Sequence, residues 1–338
     1  MAKHKIVCVA TWEPDSILFE EYLSGIDYDL TVHMYENDDK TIEAIKDANV
    51  IINMGVPMSR EVMQTISKSE AIVSWGHGFD FIDDKAATEM GIMIVNITSA
   101  IEEVSNHAIV MVLGCAKQLT VLHERTKRGE WDDATSLDQG VRLGDIDGET
   151  LGLVGFGNIA RATARKAKVF GLDIIAYDPY VQPWISKEYR VEMVKTMEEL
   201  ASRSDYVSMH LPLNKATHHI IGDKFFESMK PTAYLINTCR GPTVNEKALI
   251  TALQNKEIAG AALDVFEEEP TPKDNPLLKM ENVMVTPHTA GTSVSYEAGV
   301  YKLISQETAR LLKGMWPMSV VNPSVLSKLP PRLPAADV

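Results

Sequence analysis

Apolar and polar residues alternate in blocks along two stretches of the chain, one before residue 97 and one between Thr150 and Pro287. In each stretch, short apolar or β-branched runs alternate with segments of helical spacing, which predicts strands and helices in turn. The strand candidates of the first stretch are Lys5–Ala10, Leu30–Tyr35, Val50–Asn53, Ala71–Trp75 and Ile92–Asn96, and its clearest helix candidates are Asp15–Ser24 and Thr41–Asp47. The strand candidates of the second stretch are Leu151–Val154, Asp173–Tyr177, Tyr206–His210, Ala233–Asn237, Ala261–Val265 and Val283–Thr286. Such continuous hydrophobicity is typical of strands covered on both faces, so the pattern predicts an α/β protein with two Rossmann-like, doubly wound parallel sheets.

Two long helical patterns flank the second stretch, Ser99–Arg128 before it and Ser293–Lys313 after it. A chain that leaves one domain, builds another and then returns to the first would show this arrangement. We therefore expect a discontinuous first domain with a flavodoxin-like sheet, residues 1–103 with 297–338, and a second domain of residues 104–296. The Pro-rich tail Asn322–Val338 is expected to lack regular structure.

The composition is that of an ordinary globular protein, and it argues against several classes of function. The chain has 338 residues and a formal net charge of −14, without a block of Lys and Arg, so nucleic acid is not expected as a partner. No run approaches the roughly 20 apolar residues of a membrane helix, so no membrane partner is expected. Three scattered cysteines (Cys8, Cys115 and Cys239) fit a reducing compartment, which favours the cytoplasm. The nine histidines lack metal-ligand spacing, so we expect no metal site.

The strand at Leu151–Val154 leads into a glycine turn with the spacing GxGxxA, formed by Gly155, Gly157 and Ala160. In dinucleotide-binding proteins the first glycine permits the tight turn, the second lets the backbone approach a pyrophosphate, and the third small residue packs helix on sheet. Asp178 comes after the next strand, about 20 residues on, where an acid binds the ribose hydroxyls and repels a 2′-phosphate. The turn therefore predicts NAD binding in preference to NADP, the alternative being a plain tight turn and a solvated aspartate.

Three charged side chains come after predicted strands of the second stretch: Arg240, Glu269 and His288. Ligands of open α/β sheets bind at the carboxyl ends of the strands, so these side chains are expected to converge. A guanidinium can grip a carboxylate through two hydrogen bonds, and a histidine can exchange a proton near neutral pH. A carboxylate next to the imidazole would fix its tautomer and favour its charged form. This set is suited to the reduction of a 2-keto acid.

Together with the glycine turn, these segments resemble the D-isomer-specific 2-hydroxyacid dehydrogenase family, which includes D-lactate, D-3-phosphoglycerate and glyoxylate/hydroxypyruvate enzymes. The resemblance covers nearly the whole chain, with further motifs at Gly76–Asp83, Ala87–Asn96, His210–Leu213 and Val320–Pro323. It implies an NAD-dependent enzyme that transfers a hydride between nicotinamide and C2 of a small D-2-hydroxy or 2-keto acid. The second domain would bind NAD and the first would bind substrate. Family members are usually dimers joined through the cofactor domain, so a homodimer is expected.

The resemblance also implies a role for individual residues. Arg240 would bind the substrate carboxylate and polarise the carbonyl, while His288, paired with Glu269, would be the acid in reduction and the base in oxidation. The substrate would further be held by Asn53 and by the loop Gly76, His77 and Gly78. The implied cofactor residues are Gly155, Gly157, Asn158 and Ile159 at the pyrophosphate, Asp178 at the adenosine ribose, and Leu211, Pro212, Thr238, Asp264 and Gly291 along the adenine and nicotinamide.

The substrate tail is less closely defined by the sequence. Residues 53–58, after the third strand, contain no Lys or Arg, whereas relatives that act on phosphorylated acids tend to have a cation there, so we expect a non-phosphorylated substrate. Met54, Met58 and Trp75 either border an apolar substrate tail or belong to the core. Two other functions remain open: a formate- or phosphite-type dehydrogenase, of which the formate type has Gln at the position of Glu269, and a dinucleotide-sensing, corepressor-like binding protein.

Overall fold

The computed structural model describes residues 3–76, 78–98, 100–131, 143–294 and 296–335, apart from the side chains of residues 16–18. The chain divides into two compact units, Met1–Ala100 with Ser293–Val338, and Ile101–Thr292. The sequence pattern predicted the two boundaries at 103/104 and 296/297, a few residues further along. Within the described ranges, no helix is both long and apolar enough to cross a membrane.

The first unit is built on a parallel sheet that has five strands in the described residues, in the order β2-β1-β3-β4-β5. This is the flavodoxin-like order of a doubly wound sheet. The three strands β3 to β5 are buried along their whole length, because helices cover both faces of the sheet. The strands of this unit are β1 (His4–Ala10), β2 (Tyr28–Met34), β3 (Val50–Met54), β4 (Ala71–Ser74) and β5 (Met93–Asn96).

The second unit is built on a parallel sheet with seven described strands, in the order β12-β11-β10-β9-β6-β7-β8. The chain order reverses between β6 and β9, which lie side by side, and ligands of such sheets bind at this switch point. The predicted fold class, two Rossmann-like parallel sheets with the first unit discontinuous, is therefore confirmed. The strands are β6 (Thr150–Val154), β7 (Asp173–Tyr177), β8 (Glu192–Met193), β9 (Tyr206–Met209), β10 (Tyr234–Asn237), β11 (Gly260–Leu263) and β12 (Val283–Val285).

Helices lie on both faces of each sheet, so successive residues of a strand enter two different cores. In β1, for example, Ile6 and Cys8 pack on one side while Val7 and Val9 pack on the other. The helices of the first unit are α1 (Ser16–Tyr22), α2 (Asp38–Ile45), α3 (Arg60–Met63) and α4 (Asp84–Met90), with α12 (Tyr296–Leu312) at its return. The helices of the second unit are α5 (Ile101–Ala116), α6 (Leu119–Lys127), α7 (Asn158–Val169), α8 (Pro183–Tyr189), α9 (Met197–Arg203), α10 (Asp223–Ser228) and α11 (Glu246–Gln254).

The long helix predicted over Ser99–Arg128 is wrong as a single element, because it is interrupted between α5 and α6. Gln118 adopts a left-handed conformation with φ of 43°. The carbonyl of Ala116, which an uninterrupted helix would use internally, instead accepts a hydrogen bond from the amide of Gly144 at 2.8 Å. Lys117 Nζ donates to the Gly144 carbonyl at 2.6 Å, so a distant segment of chain fixes the break.

The tail is also more ordered than predicted, with a 3-10 helix at Pro323–Lys328. Asn322 anchors it, because its side-chain oxygen accepts from Ile94 N at 2.9 Å and its amide donates to the Ile92 carbonyl at 3.0 Å. Val325 is fully buried on the first unit. The expectation of a tail without regular structure is therefore wrong for this segment, while residues 336–338 lie outside the described residues.

Candidate active site

The glycine turn after β6 has the geometry of a dinucleotide-binding turn. Gly155 has φ of +90°, and a Cβ there would lie 2.5 Å from the His210 carbonyl oxygen, so a side chain has no room. A Cβ at Gly157 would meet nothing within 4 Å, which leaves open space above the backbone. Ala160 is fully buried where α7 packs on the sheet. The turn thus combines a tight bend at Gly155, open space next to the backbone of Gly157 and a close helix–sheet contact at Ala160.

The amino terminus of α7 has no side-chain cap among the described residues. Its N-cap is Gly157, and the first intrahelical bond reaches that residue from Arg161 N at 3.0 Å. The amides of the first turn, including those of Asn158 and Ile159, lack intrahelical partners and carry the positive end of the helix dipole. These amides suit the pyrophosphate of a dinucleotide.

Two further polar groups at the same edge of the sheet fit a dinucleotide. Asp178, at the end of β7, is fixed by its Oδ2, which accepts from Phe156 N at 2.9 Å, and by its Oδ1, which accepts from Tyr180 N at 2.9 Å. The hydroxyl of Thr238, after β10, is buried and lacks a hydrogen-bond partner among the described residues. A buried hydroxyl without a partner is costly, and a bound ligand would satisfy it.

The remaining predicted cofactor residues lie in loops after β9, β11 and β12. Leu211 packs against the core next to Gly155, and Pro212 is exposed with its carbonyl accepting from Thr217 Oγ1 at 2.6 Å. Gly291 is partly buried in the loop after His288. Asp264 is 1% exposed and accepts hydrogen bonds from that same loop.

His288 and Glu269 form a hydrogen-bonded pair, with 2.6 Å between Nδ1 and Oε2. Glu269 is itself held by Phe266 N, which donates to its Oε1 at 2.9 Å. Glu267, nearby in the same acidic run, bonds instead to the ring of His219 at 2.7 Å. The His288 side chain remains 48% exposed, so its pairing with Glu269 leaves part of the ring open to solvent.

Each member of this pair changes the pKa of the other. The hydrogen bond that Nδ1–H donates to Glu269 raises the pKa of His288 above its ordinary value, although burial and the charge of Arg240 oppose it. Burial raises the pKa of Glu269, but the bonds from His288 and Phe266 N and the charges of His288 and Arg240 outweigh burial and lower it. The arrangement favours an imidazolium next to a carboxylate, which is the form that donates a proton.

Arg240 lies in the loop after β10, directly against the loop that carries Glu269. A Cβ at Gly241 would lie only 1.7 Å from the Phe266 carbonyl oxygen, so the two loops touch through their backbones. The positive charge of Arg240 influences the pKa of both Glu269 and His288. The guanidinium also donates to the Cys239 carbonyl through Nη1 at 2.7 Å.

In the first unit, the predicted substrate residues lie at the carboxyl ends of β3 and β4. Asn53 is fully buried, and its side chain closes a turn by accepting from Val56 N at 2.8 Å and donating to Val56 O at 2.9 Å. Gly76 has φ of +75°, and the Gly78 carbonyl accepts from Ser74 Oγ at 3.0 Å. His77 lies outside the described residues. Met54 and Met58 are fully buried in the two cores of this unit, which favours the core role for both.

Comparison with known proteins identifies the family. The model for the NAD-binding domain of D-isomer-specific 2-hydroxyacid dehydrogenases matches residues 109–290. A D-3-phosphoglycerate dehydrogenase of Methanocaldococcus jannaschii is 37% identical over 89% of this chain, but the match spans only 57% of that protein's length. A glyoxylate reductase of Korarchaeum cryptofilum is 37% identical over 86% of this chain and 87% of its own. A solved glyoxylate reductase from Paecilomyes thermophila superposes with a TM-score of 0.82 at 29% identity, covering 95% of this chain and 99% of that one.

The chain therefore belongs to the D-isomer-specific 2-hydroxyacid dehydrogenase family, and by that membership it is an oxidoreductase with an NAD-binding domain. The resemblance inferred from the ordered motifs is confirmed.

Two polar residues at the site received no role from the sequence. His107, on α5, and Thr286, at the end of β12, are joined by a bond of 3.0 Å between Nε2 and Oγ1. Thr286 was the last residue of the strand candidate Val283–Thr286, two positions before His288. His107 falls within the helical pattern over Ser99–Arg128, and nothing in that pattern gives it a role. Among the described residues, no group of three or more His, Cys, Asp and Glu side chains could hold a metal ion.

Proposed function

We propose that the chain interconverts a small 2-keto acid and the corresponding D-2-hydroxy acid, with His288 as acid and base and Arg240 as carboxylate ligand. The observation that carries this proposal is the 2.6 Å bond between His288 Nδ1 and Glu269 Oε2, beside a guanidinium whose charge reaches both groups. When bound, NAD would supply or accept the hydride through its nicotinamide ring. The protein's part is binding, orientation and proton transfer.

In the direction of reduction, Arg240 binds the carboxylate of the keto acid and polarises its C2 carbonyl. His288 is protonated, with its Nδ1–H on Glu269, so its Nε2–H is the proton available for the carbonyl oxygen. Glu269 stabilises the imidazolium and fixes the ring orientation. In oxidation, the neutral ring keeps Nδ1–H on Glu269, and Nε2 then accepts the hydroxyl proton.

We further propose NAD rather than NADP as the cofactor. The carboxylate of Asp178 is fixed by two backbone amides at the end of β7. A fixed negative charge there accepts from the ribose hydroxyls and repels a 2′-phosphate. We expect kcat/KM with NADH to exceed that with NADPH by at least about tenfold.

The proposed substrate is a non-phosphorylated 2-keto acid. Residues 53–58 carry no Lys or Arg, and Arg60, the first cation after them, is paired with Glu89 at 2.7 Å. A phosphate tail would therefore find little compensation from this segment. Glyoxylate is the first compound to test, because similar proteins bear the name glyoxylate reductase.

A panel of 2-keto acids, including glyoxylate, hydroxypyruvate, pyruvate and 3-phosphohydroxypyruvate, tests the proposal by oxidation of NADH and NADPH. We expect turnover of at least one unphosphorylated acid with NADH. Preferred turnover of 3-phosphohydroxypyruvate would contradict the proposed substrate class. Tight NADH binding without turnover of any panel member would instead indicate a dinucleotide sensor, and oxidation of formate or phosphite would indicate those dehydrogenase types.

We also propose a homodimer formed through the second unit. Helix α6 has no buried residue, and Leu119 at its start is 61% exposed. Val110 on α5 and Trp131, shortly after α6, are also more than 60% exposed, so this stretch of the second unit carries several apolar side chains that a second copy could cover. Light scattering should give twice the mass of one chain.

A further inference from the structure

His288 has an unusual backbone conformation for a residue with a side chain. Its φ is +53°, in the left-handed region that favours glycine. Such a conformation persists only where neighbouring groups hold it, and it often marks a functional residue. The groups that hold this loop therefore decide where the imidazole lies.

One residue, Asp264, binds three consecutive amides of this loop. Its backbone carbonyl accepts from His288 N at 2.7 Å. Its side chain accepts from Thr289 N at Oδ1 and from Ala290 N at Oδ2, both at 2.8 Å. The carboxylate is 1% exposed, so its position depends on the groups that surround it.

Thr286 and His107 complete this set of contacts. Thr286 Oγ1 donates to Asp264 Oδ1 at 2.6 Å. A hydroxyl has one proton, so the same oxygen must accept from His107 Nε2, which lies 3.0 Å away. His107 therefore carries its proton on Nε2 and directs it at Thr286, and this nitrogen is also 3.8 Å from Asp264 Oδ1. The chain of bonds runs from α5 through two side chains to the loop of His288.

We propose that His107 is a positioning residue for His288, acting through Thr286 and the carboxylate of Asp264. The proposal rests on the proposed function in so far as His288 is the acid and base. The positioning contacts themselves do not depend on that function. A donor on α5 orients the Thr286 hydroxyl, the hydroxyl fixes the buried carboxylate of Asp264, and this carboxylate holds the left-handed turn at His288.

Two pairs of variants test the proposal. His107→Leu removes the donor, whereas His107→Gln keeps an N–H near the position of Nε2. Thr286→Val removes the hydroxyl at nearly constant volume, whereas Thr286→Ser retains it. His4→Leu is the matched control, because it makes the same change at the amino end of β1, in the other unit.

The first measurement is hydrogen exchange at the amides of Thr289 and Ala290, which requires no turnover. We expect His107→Leu and Thr286→Val each to accelerate exchange at both amides by about tenfold or more, since each frees the carboxylate that binds them. His107→Gln, Thr286→Ser and His4→Leu should resemble the wild type. The double variant His107→Leu/Thr286→Val should add little to either single one, because the residues act in series.

The second measurement is steady-state kinetics with NADH and the preferred keto acid. We expect kcat to fall by about 10- to 100-fold in His107→Leu, as small displacements of a catalytic group do, with the KM for NADH nearly unchanged, and to recover in His107→Gln. Unchanged exchange in His107→Leu, or equal impairment in His107→Gln, would overturn the proposal. If the exchange results are as expected but the wild type reduces no keto acid, the positioning network stands and the proposed function fails.

Discussion

Two Gly-X-Gly segments, each after a strand of a parallel sheet, lead into different structures. Gly155 and Gly157 lead directly into α7, whose amino terminus has no side-chain cap. Gly76 and Gly78 lead into a loop, and the next helix, α4, is capped by Asp83, whose carboxylate accepts from Ala86 N at 2.9 Å. Asp83 satisfies one helix terminus, whereas the other leaves the amides that we propose for the cofactor.

The side chains at the strand ends of the two sheets also differ. In the first unit, Asn53 and Met54 are fully buried and serve a turn and a core. In the second unit, the strand ends carry a buried hydroxyl without a partner among the described residues (Thr238), an imidazole–carboxylate pair and a guanidinium. Two parallel α/β sheets of similar plan therefore present different chemical groups at the ends of their strands.

The largest effect should come from the proton donor of the second unit. His288→Asn retains a polar side chain but removes the titratable ring, so we expect kcat to fall by about 10²- to 10⁴-fold. NADH affinity, measured by fluorescence titration, should stay within about twofold, because the ring is not part of the glycine turn. His4→Asn makes the same change at the amino end of β1 and should leave both values unchanged. A His288→Asn enzyme with wild-type kcat would remove His288 from the mechanism.

A smaller effect is expected from Glu269→Gln, which keeps a hydrogen-bond acceptor for Nδ1–H but removes the charge. Since Glu269 raises the pKa of His288, the variant should lower it. Reduction requires the protonated ring, so activity falls as pH rises through this pKa, and the alkaline limb of kcat/KM should move to lower pH. At neutral pH we expect a loss of about 10- to 100-fold, the value of one hydrogen bond to a charged group. An alkaline limb that stays in place would contradict the pairing.

A third variant gives α7 an N-cap side chain, which α4 already has in Asp83. Gly157→Ser introduces a favourable N-cap side chain where a Cβ has open space, so the thermal midpoint should stay the same or rise slightly. The serine oxygen would compete for the amides that we assign to the pyrophosphate, and NADH affinity should fall by about tenfold. Unchanged affinity would mean that these amides do not bind the cofactor.

Much of this architecture could be predicted, because strands buried on both faces produce continuous apolar runs. Val50–Asn53, for example, was predicted and Val50–Met54 is observed. Strand β8, Glu192–Met193, was missed since two residues show no pattern. The break at Gln118 was not predictable either, because its cause is the amide of Gly144, which is remote in sequence.

The candidate site shows the same limit. Arg240, Glu269 and His288 could be proposed because each comes after a strand, and strand ends converge at one edge of a sheet. His107 is 179 residues from Thr286 along the chain, and nothing local in the sequence connects them. Residues that bind a ligand have recognisable positions in a motif, whereas residues that orient them through other side chains become visible only in three dimensions.

The smallest effect is expected from the cap of the first unit. Asp83→Ala removes the acceptor for Ala86 N at the start of α4, and the loss of such a cap costs about 1 kcal/mol of folding free energy. Chemical denaturation should detect this loss. NADH affinity should not change, because α4 belongs to the other unit and its amides are not assigned to the cofactor. Asp84→Ala, one residue further on, is the matched control: it removes a carboxylate from the first turn but not the cap. If Asp83→Ala weakened NADH binding as much as Gly157→Ser, the proposed difference between the two helix termini would be wrong. That difference is between α4, which is capped by Asp83, and α7, whose amides we assign to the pyrophosphate.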